Sequence, residues 1–94
     1  MIEWTEQAAW QLEQAQNYIA LSNSREVATQ VAMQIAASLQ HLSAFPRSGR
    51  IGRISGTRRL VIPRAPFIAA YTIKNTRVVI LALYHGAQPW PDNL

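Results

Sequence analysis

Hydrophobic and polar positions along this chain fall into regimes of different period, and each period predicts an element. Ile2-Glu3-Trp4 is a short β-prone start. From Thr5 the spacing lengthens. Ala8, Leu12, Ala15 and Ile19 recur at i, i+4, i+7 and i+11, one stripe of an amphipathic helix, with Gln7, Gln11, Glu13, Gln14 and Asn17 largely off it. Thr5 offers a capping oxygen, and Glu6 places negative charge at the positive end of the helix dipole. Ser22-Asn23-Ser24 interrupts the stripe, and Asn23 with Glu26 three residues on has the form of a capping box for a second helix. The helical spacing resumes at Val31, Ile35, Leu39 and Leu42, beside Ala28, Ala32 and Ala36, which permit close approach. It ends where Phe45-Pro46 forces the backbone out of helical geometry, so the second helix is predicted near 24–44 and the two form a hairpin.

Beyond Thr57 the period shortens. Arg58 to Ile62, Phe67 to Ile73 and Val78 to Tyr84 are rich in Val, Ile, Leu and aromatic residues and predict three strands. Lys74-Asn75-Thr76-Arg77 joins the last two as a tight hairpin, with Asn75 the residue most able to take positive φ. Val78 to Leu83 is apolar without interruption, which predicts an internal strand covered on both faces. Arg47 to Gly56 carries three glycines and three arginines with no period and reads as a basic, mobile loop. The order β-α-α-β-β-β makes an α+β fold, a helical hairpin packed on a mainly antiparallel sheet, in one domain over residues 1–94.

Charge changes this picture more than composition does. Residues 1–26 carry four glutamates against Arg25, a net −3, whereas residues 27–94 carry eight basic groups against Asp92, a net +7. No carboxylate side chain lies between Glu26 and Asp92, so the second half projects a positive field that attracts phosphate or an acidic partner. The absence of cysteine excludes a disulfide framework, a thiolate nucleophile and cysteine-ligated zinc. No apolar run reaches the roughly 18–20 residues of a membrane span and the start lacks a basic region before an apolar stretch, so a cytoplasmic protein without membrane partners is expected.

Six of the nine basic residues, Arg47, Arg50, Arg53, Arg58, Arg59 and Arg64, lie within eighteen positions. Each alone reads as a solvated surface group, but the cluster reads as a surface for phosphate or carboxylate, which the planar guanidinium matches. His85 ends an apolar strand and meets Gly86, so an imidazole there is either a hydrogen-bonded structural group or an acid–base candidate. His41 on the second helix is a weaker one. Tyr71 and Tyr84 read first as core aromatics with a polar tip. Trp90, in the Gln88-Pro89-Trp90-Pro91 tail, caps the core or waits for a partner. No acidic pair, metal cluster, Ser/His/Asp set or phosphate loop stands in the second half, so no metal and no cofactor is called for. Any reaction has to run on Arg, His, Tyr and backbone groups, and phosphodiester cleavage by 2′-hydroxyl attack is one that can.

Taken together, Trp4 with Ala8 and Leu12, Tyr18-Ile19, Leu42 to Pro46 with Gly49-Arg50, Gly56-Thr57-Arg58-Arg59-Leu60-Val61, Pro66-Phe67-Ile68 with Tyr71, and Leu83-Tyr84-His85-Gly86-Ala87 with Trp90-Pro91 resemble the RelE/ParE superfamily. These are toxins of type II toxin–antitoxin modules, also called plasmid stabilisation proteins, and the resemblance spans nearly the whole chain. It implies growth arrest by a small α+β toxin, neutralised by a cognate antitoxin whose acidic, partly disordered segment wraps the basic surface and folds on binding. It also implies that the pair represses its own promoter through the antitoxin.

The superfamily divides by target, and the resemblance carries both branches to this chain. ParE-like members inhibit DNA gyrase; RelE-like members are metal-independent mRNA interferases that cut mRNA on the ribosome. RelE-like nucleases tend to carry an Arg three residues before the strand tyrosine, where this chain has Ile68, and relatives with the His-Gly-Ala motif usually show Arg where Gln88 stands. Both departures favour the gyrase branch. If the chain is a nuclease, the resemblance points to His85, Arg58 and Arg64 as its catalytic groups. Arg47, Arg50, Arg53 and Arg59 would then hold phosphate or target in either branch, with Trp90 and Gln88 as the partner-facing tail. A third reading is an inactive module that only binds antitoxin or nucleic acid.

Overall fold

The structure is a computed structural model that describes residues 1–65 and 67–86. Strand β1 (Ile2–Trp4) leads into helix α1 (Glu6–Ser22), and α2 (Arg25–Ala44) returns antiparallel to it. The strands β2 (Arg50–Ile51), β3 (Arg58–Val61), β4 (Phe67–Lys74) and β5 (Arg77–His85) follow. They form one mixed sheet in the order β1-β5-β4-β3-β2, in which β1 runs parallel to β5 and every other pair is antiparallel. This is the expected α+β fold with one more strand.

Helix α1 begins as its sequence predicts: the Thr5 hydroxyl accepts from the Ala8 amide at 3.1 Å. The same hydroxyl donates to the Leu81 carbonyl at 3.2 Å, and the Thr5 amide donates to the Ile80 carbonyl at 3.1 Å. One residue therefore caps the helix and ties it to β5. Helix α2 is capped by Ser24, whose hydroxyl accepts from Val27, and not by Asn23, which instead closes α1 by donating its amide to the Ile19 carbonyl. Two adjacent cap-competent residues divided the work between the two helix ends, and Glu26 is left to complement the dipole in the first turn.

The core lies between the helices and one face of the sheet. Ala8, Ile35, Leu39 and Leu42 meet Phe67, Ala69, Tyr71, Val78, Ile80 and Leu83, and Leu12, Ala15, Ile19 and Val31 pack around them. Of the three alanines beside the α2 stripe, Ala28 is buried but Ala36 faces solvent. Ile80 and Leu83, three apart, share this face because a bulge falls there: Tyr71 pairs with Ile80 and Ala70 with Ala82, leaving Leu81 over. On the opposite face Ala70, Ala82 and Tyr84 form a second small cluster with Ile68, so β5 is buried on both sides, as its unbroken apolar run predicts.

The stretch from Arg47 to Gly56 is not a free loop. Arg50 and Ile51 pair with Arg59 and Arg58, the Gly52 amide donates to the Thr57 carbonyl at 2.8 Å, and Thr57 donates back to Ile54. Gly49 and Gly52 serve close packing here, since a Cβ on Gly49 would stand 2.7 Å from the Arg59 carbonyl oxygen and one on Gly52 would strike the Thr57 hydroxyl. Asn75 does take positive φ, 58°, in the β4–β5 turn. No described helix is long and apolar enough to cross a membrane.

Candidate target and partner surfaces

The strand register decides where each arginine goes. Arg58 stands opposite Tyr71 on the helix side of the sheet, whereas Arg59, opposite Ala70, and Arg50, opposite Arg59, stand on the far side. Arg58 is committed to the backbone: its Nη1 donates to the carbonyls of Arg47 at 3.2 Å and Gly49 at 2.9 Å. Beside it, Tyr71 is fully buried, its phenol oxygen accepting from the Gly49 amide at 2.9 Å and donating to the Pro46 carbonyl at 2.7 Å. Burial raises the Tyr71 pKa, and the Gly49 hydrogen bond and the Arg58 charge oppose that rise.

On the far side, Ala70 and Ala82 are almost without exposure and project only methyl groups. Arg59 and Tyr84, from the strands either side of β4, therefore reach each other electrostatically across this low floor. Burial pushes the Tyr84 phenol up from 10.0, and Arg59 pulls it back. At neutral pH both buried tyrosines keep their protons. Arg77 meets Glu3 at 2.8 Å on the same face, joining β5 to the edge strand β1.

His85 stands on the helix side, opposite Phe67, with the two rings edge to face at a centroid separation of 5.7 Å. It lines a cleft of about 490 Å³ with Phe67 and Leu83 from the sheet and Trp10, Gln14 and Tyr18 from α1. Gln11 closes the base of that cleft by accepting the Leu83 amide at 2.7 Å. His41 packs against Phe45, ring centroids 4.8 Å apart, at the end of α2.

The groups that the resemblance assigns to a nuclease are therefore dispersed. Arg58 and His85 are in register with Tyr71 and Phe67, four residues of β4 apart, which is roughly 13 Å along the strand. Arg64 shares the sheet end of His85 but sits exposed in the β3–β4 turn with φ of 62°. Arg53 is exposed in the β2–β3 connection, and Arg47 is exposed just after α2. Gln88 and Trp90 lie outside the described residues. Among the described residues no three His, Asp or Glu side chains come together as metal ligands. Sequence reasoning missed Gln11 and the pairing of Arg58 with the 46–49 backbone; a lone glutamine on a helix carries no signal of the strand amide it will meet.

A family model described as the ParE toxin of the type II toxin–antitoxin system parDE matches residues 2–90. A curated protein of Sinorhizobium fredii (strain NBRC 101917 / NGR234), "Putative toxin Y4kP", is 37% identical over 93 residues, covering 99% of this chain and 95% of that one. Among solved structures, a chain of the chromosomal ParDE system from P. aeruginosa superposes with a TM-score of 0.81 at 26% identity, over 89% of this chain and 92% of that one. A chain of the E. coli RelBE toxin–antitoxin complex shares the fold, with a TM-score of 0.68 at 11% identity over 94% of this chain and 98% of that one.

Proposed function

The chain belongs to the ParE toxin family of type II toxin–antitoxin systems, and from that premise we propose that it arrests growth by inhibiting DNA gyrase and is held inactive by a cognate antitoxin. The observation that supports the choice of target is the separation of His85 from Arg58, which stand roughly 13 Å apart along the sheet. His85 is on the helix side of the sheet, Arg59 and Tyr84 are on the other, and Arg58 is spent on two backbone carbonyls. In-line cleavage of a phosphodiester asks for a proton acceptor and a cation within hydrogen-bond reach of one phosphate. A stoichiometric inhibitor asks only for a binding surface, and a rigid sheet edged by guanidiniums supplies one.

The antitoxin follows from the charge. Seven net positive charges over residues 27–94 favour an acidic segment that orders on contact. The structural neighbours are toxin–antitoxin systems, which supports the same partner.

The test is a DNA supercoiling assay with purified gyrase and the purified chain, run beside translating ribosomes with a defined mRNA. Loss of supercoiling with intact mRNA is expected. Cut mRNA with unaffected supercoiling would reverse the assignment and return His85 and Arg58 to a catalytic role.

A further inference from the structure

The cleft between α1 and the end of β5 differs in chemistry from the rest of the second half of the chain. Trp10, Gln14 and Tyr18, at i, i+4 and i+8, form its helix wall, and Phe67 and Leu83 its sheet wall. No Arg, Lys, Asp or Glu is found among the described residues that line it. Two of its rings are well exposed, Trp10 at 60% and Tyr18 at 71%. An uncharged aromatic surface of this kind marks a place where something docks.

We propose that the occupant is the chain's own C-terminal segment, residues 87–94, with the Trp90 indole laid between the helix wall and the sheet wall. The inference concerns this chain alone and stands whether its target is gyrase or the ribosome.

The directions of the elements lead there first. Thr5 bonds to Leu81 and Gln11 to Leu83, so α1 follows β5 in the same direction. From Gln11 to the helix end at Ser22 is about 16 Å, whereas from Leu83 to the strand end at His85 is about 7 Å. The last turns of α1, which carry Tyr18 and the 89% exposed Leu21, therefore reach past the strand where the chain turns at Gly86. Trp90 follows Gly86 by four residues, a reach of at most about 14 Å.

Composition points the same way. Ala87-Gln88-Pro89-Trp90-Pro91 carries no charge, as the lining carries none. Pro89 and Pro91 have no amide to leave unsatisfied, and their fixed φ lowers the entropy lost on docking. The Gln14 side chain offers an acceptor for the indole N–H. A tether this short gives the segment an effective concentration on the order of millimolar, with no partner to recruit. A second copy, at net charge +4, is repelled, and a nucleic-acid strand asks for cations that the described lining does not supply.

The experiment compares the full chain with its Trp90→Ala variant by NMR and hydrogen exchange. Nuclear Overhauser contacts between the Trp90 indole and the Tyr18 ring are expected in the full chain. The Leu83 amide, bonded to Gln11 at the base of the cleft, should exchange about tenfold faster in Trp90→Ala, the scale of uncovering part of one aromatic side chain. The Gln14 and Tyr18 amides should shift, and those of Ser48 and Asn75, remote from the cleft, should not. Trp90→Phe keeps a ring and should hold Leu83 exchange within about threefold of the full chain. Should Trp90→Ala fail to fold, Tyr18→Ala on the exposed helix wall asks the same question, since the Trp90 indole resonance should then move to the position of free tryptophan. An unmoved indole, missing Trp90–Tyr18 contacts, or unchanged Leu83 exchange would each overturn the proposal. So would contacts between labelled and unlabelled chains in a mixed sample, which would assign the cleft to a second copy.

Discussion

The Tyr71 phenol oxygen and the Gly49 backbone amide are 2.9 Å apart, and that contact fastens the chain leaving α2 to the centre of the sheet. The phenol O–H donates its own hydrogen bond to the Pro46 carbonyl, so one side chain satisfies both ends of the 46–49 turn. Tyr71→Phe would leave a donor and an acceptor without partners in a buried place, at about 1–3 kcal/mol. Urea denaturation should show that loss, and the Gly49 amide should exchange faster in deuterium. A variant with unchanged midpoint and unchanged Gly49 exchange would remove Tyr71 from this role.

The same joint makes Gly49 intolerant of a side chain. An added Cβ would stand 2.5 Å from the Tyr71 phenol oxygen and 2.7 Å from the Arg59 carbonyl, and the carbonyl belongs to a paired strand that cannot step aside. Gly49→Ala is expected to cost roughly 1–3 kcal/mol, the usual scale of overpacking. Ser48→Ala, one residue earlier and exposed, is the control that should leave the melting temperature in place.

Thr5→Ala should cost about 1–2 kcal/mol, since it removes a helix cap and the hydroxyl bond to Leu81 together. Thr5→Ser keeps both and should recover most of the difference. If alanine and serine variants melt alike, the hydroxyl does not hold α1 to β5.

Alkaline pH supplies a further check. Burial raises the pKa of both Tyr71 and Tyr84 above 10.0, so the unfolded chain releases these protons first. Below pH 10 the phenols are protonated in both states and stability is fully present; as pH rises through the raised native values it is lost. The urea midpoint should hold from pH 7 to 9 and fall above 10, with Tyr84→Phe blunting the fall. A fall of the same size in that variant would assign it to other groups.

For activity, Trp90→Ala or truncation before Gln88 should relieve growth arrest, while His85→Ala should keep it. The reverse order of sensitivity, read by plating after induction, would favour the nuclease branch.

The sequence carried the helices and the three long strands almost to the residue, because apolar period and cap chemistry are local. Leu12, Ile19, Ile35 and Leu39 face inward for reasons visible within one turn of each. The site was less legible. Arg58 and Arg59 are neighbours in the chain and stand on opposite faces, an outcome fixed by register against Tyr71 and Ala70. In β5 the bulge at Leu81 resets the alternation, so the apolar run gives no parity from which to place His85 and Tyr84. The Arg47 to Gly56 stretch read as mobile because glycine signals both freedom and close packing, and only the contacts at Gly49 and Gly52 separate the two.

The parallel pairing of β1 with β5 sets an order of events during synthesis. Ile2 pairs with Val78, and Thr5 bonds to Leu81, 76 positions later. The helical hairpin leaves the ribosome early and can form its mutual contacts, but the surface it buries against arrives with the last long strand. Closing so wide a loop is slow to begin and is rewarded only at the end. Assembly of the core in a nascent chain therefore waits until residues 77–85 have been made, however early the two helices form.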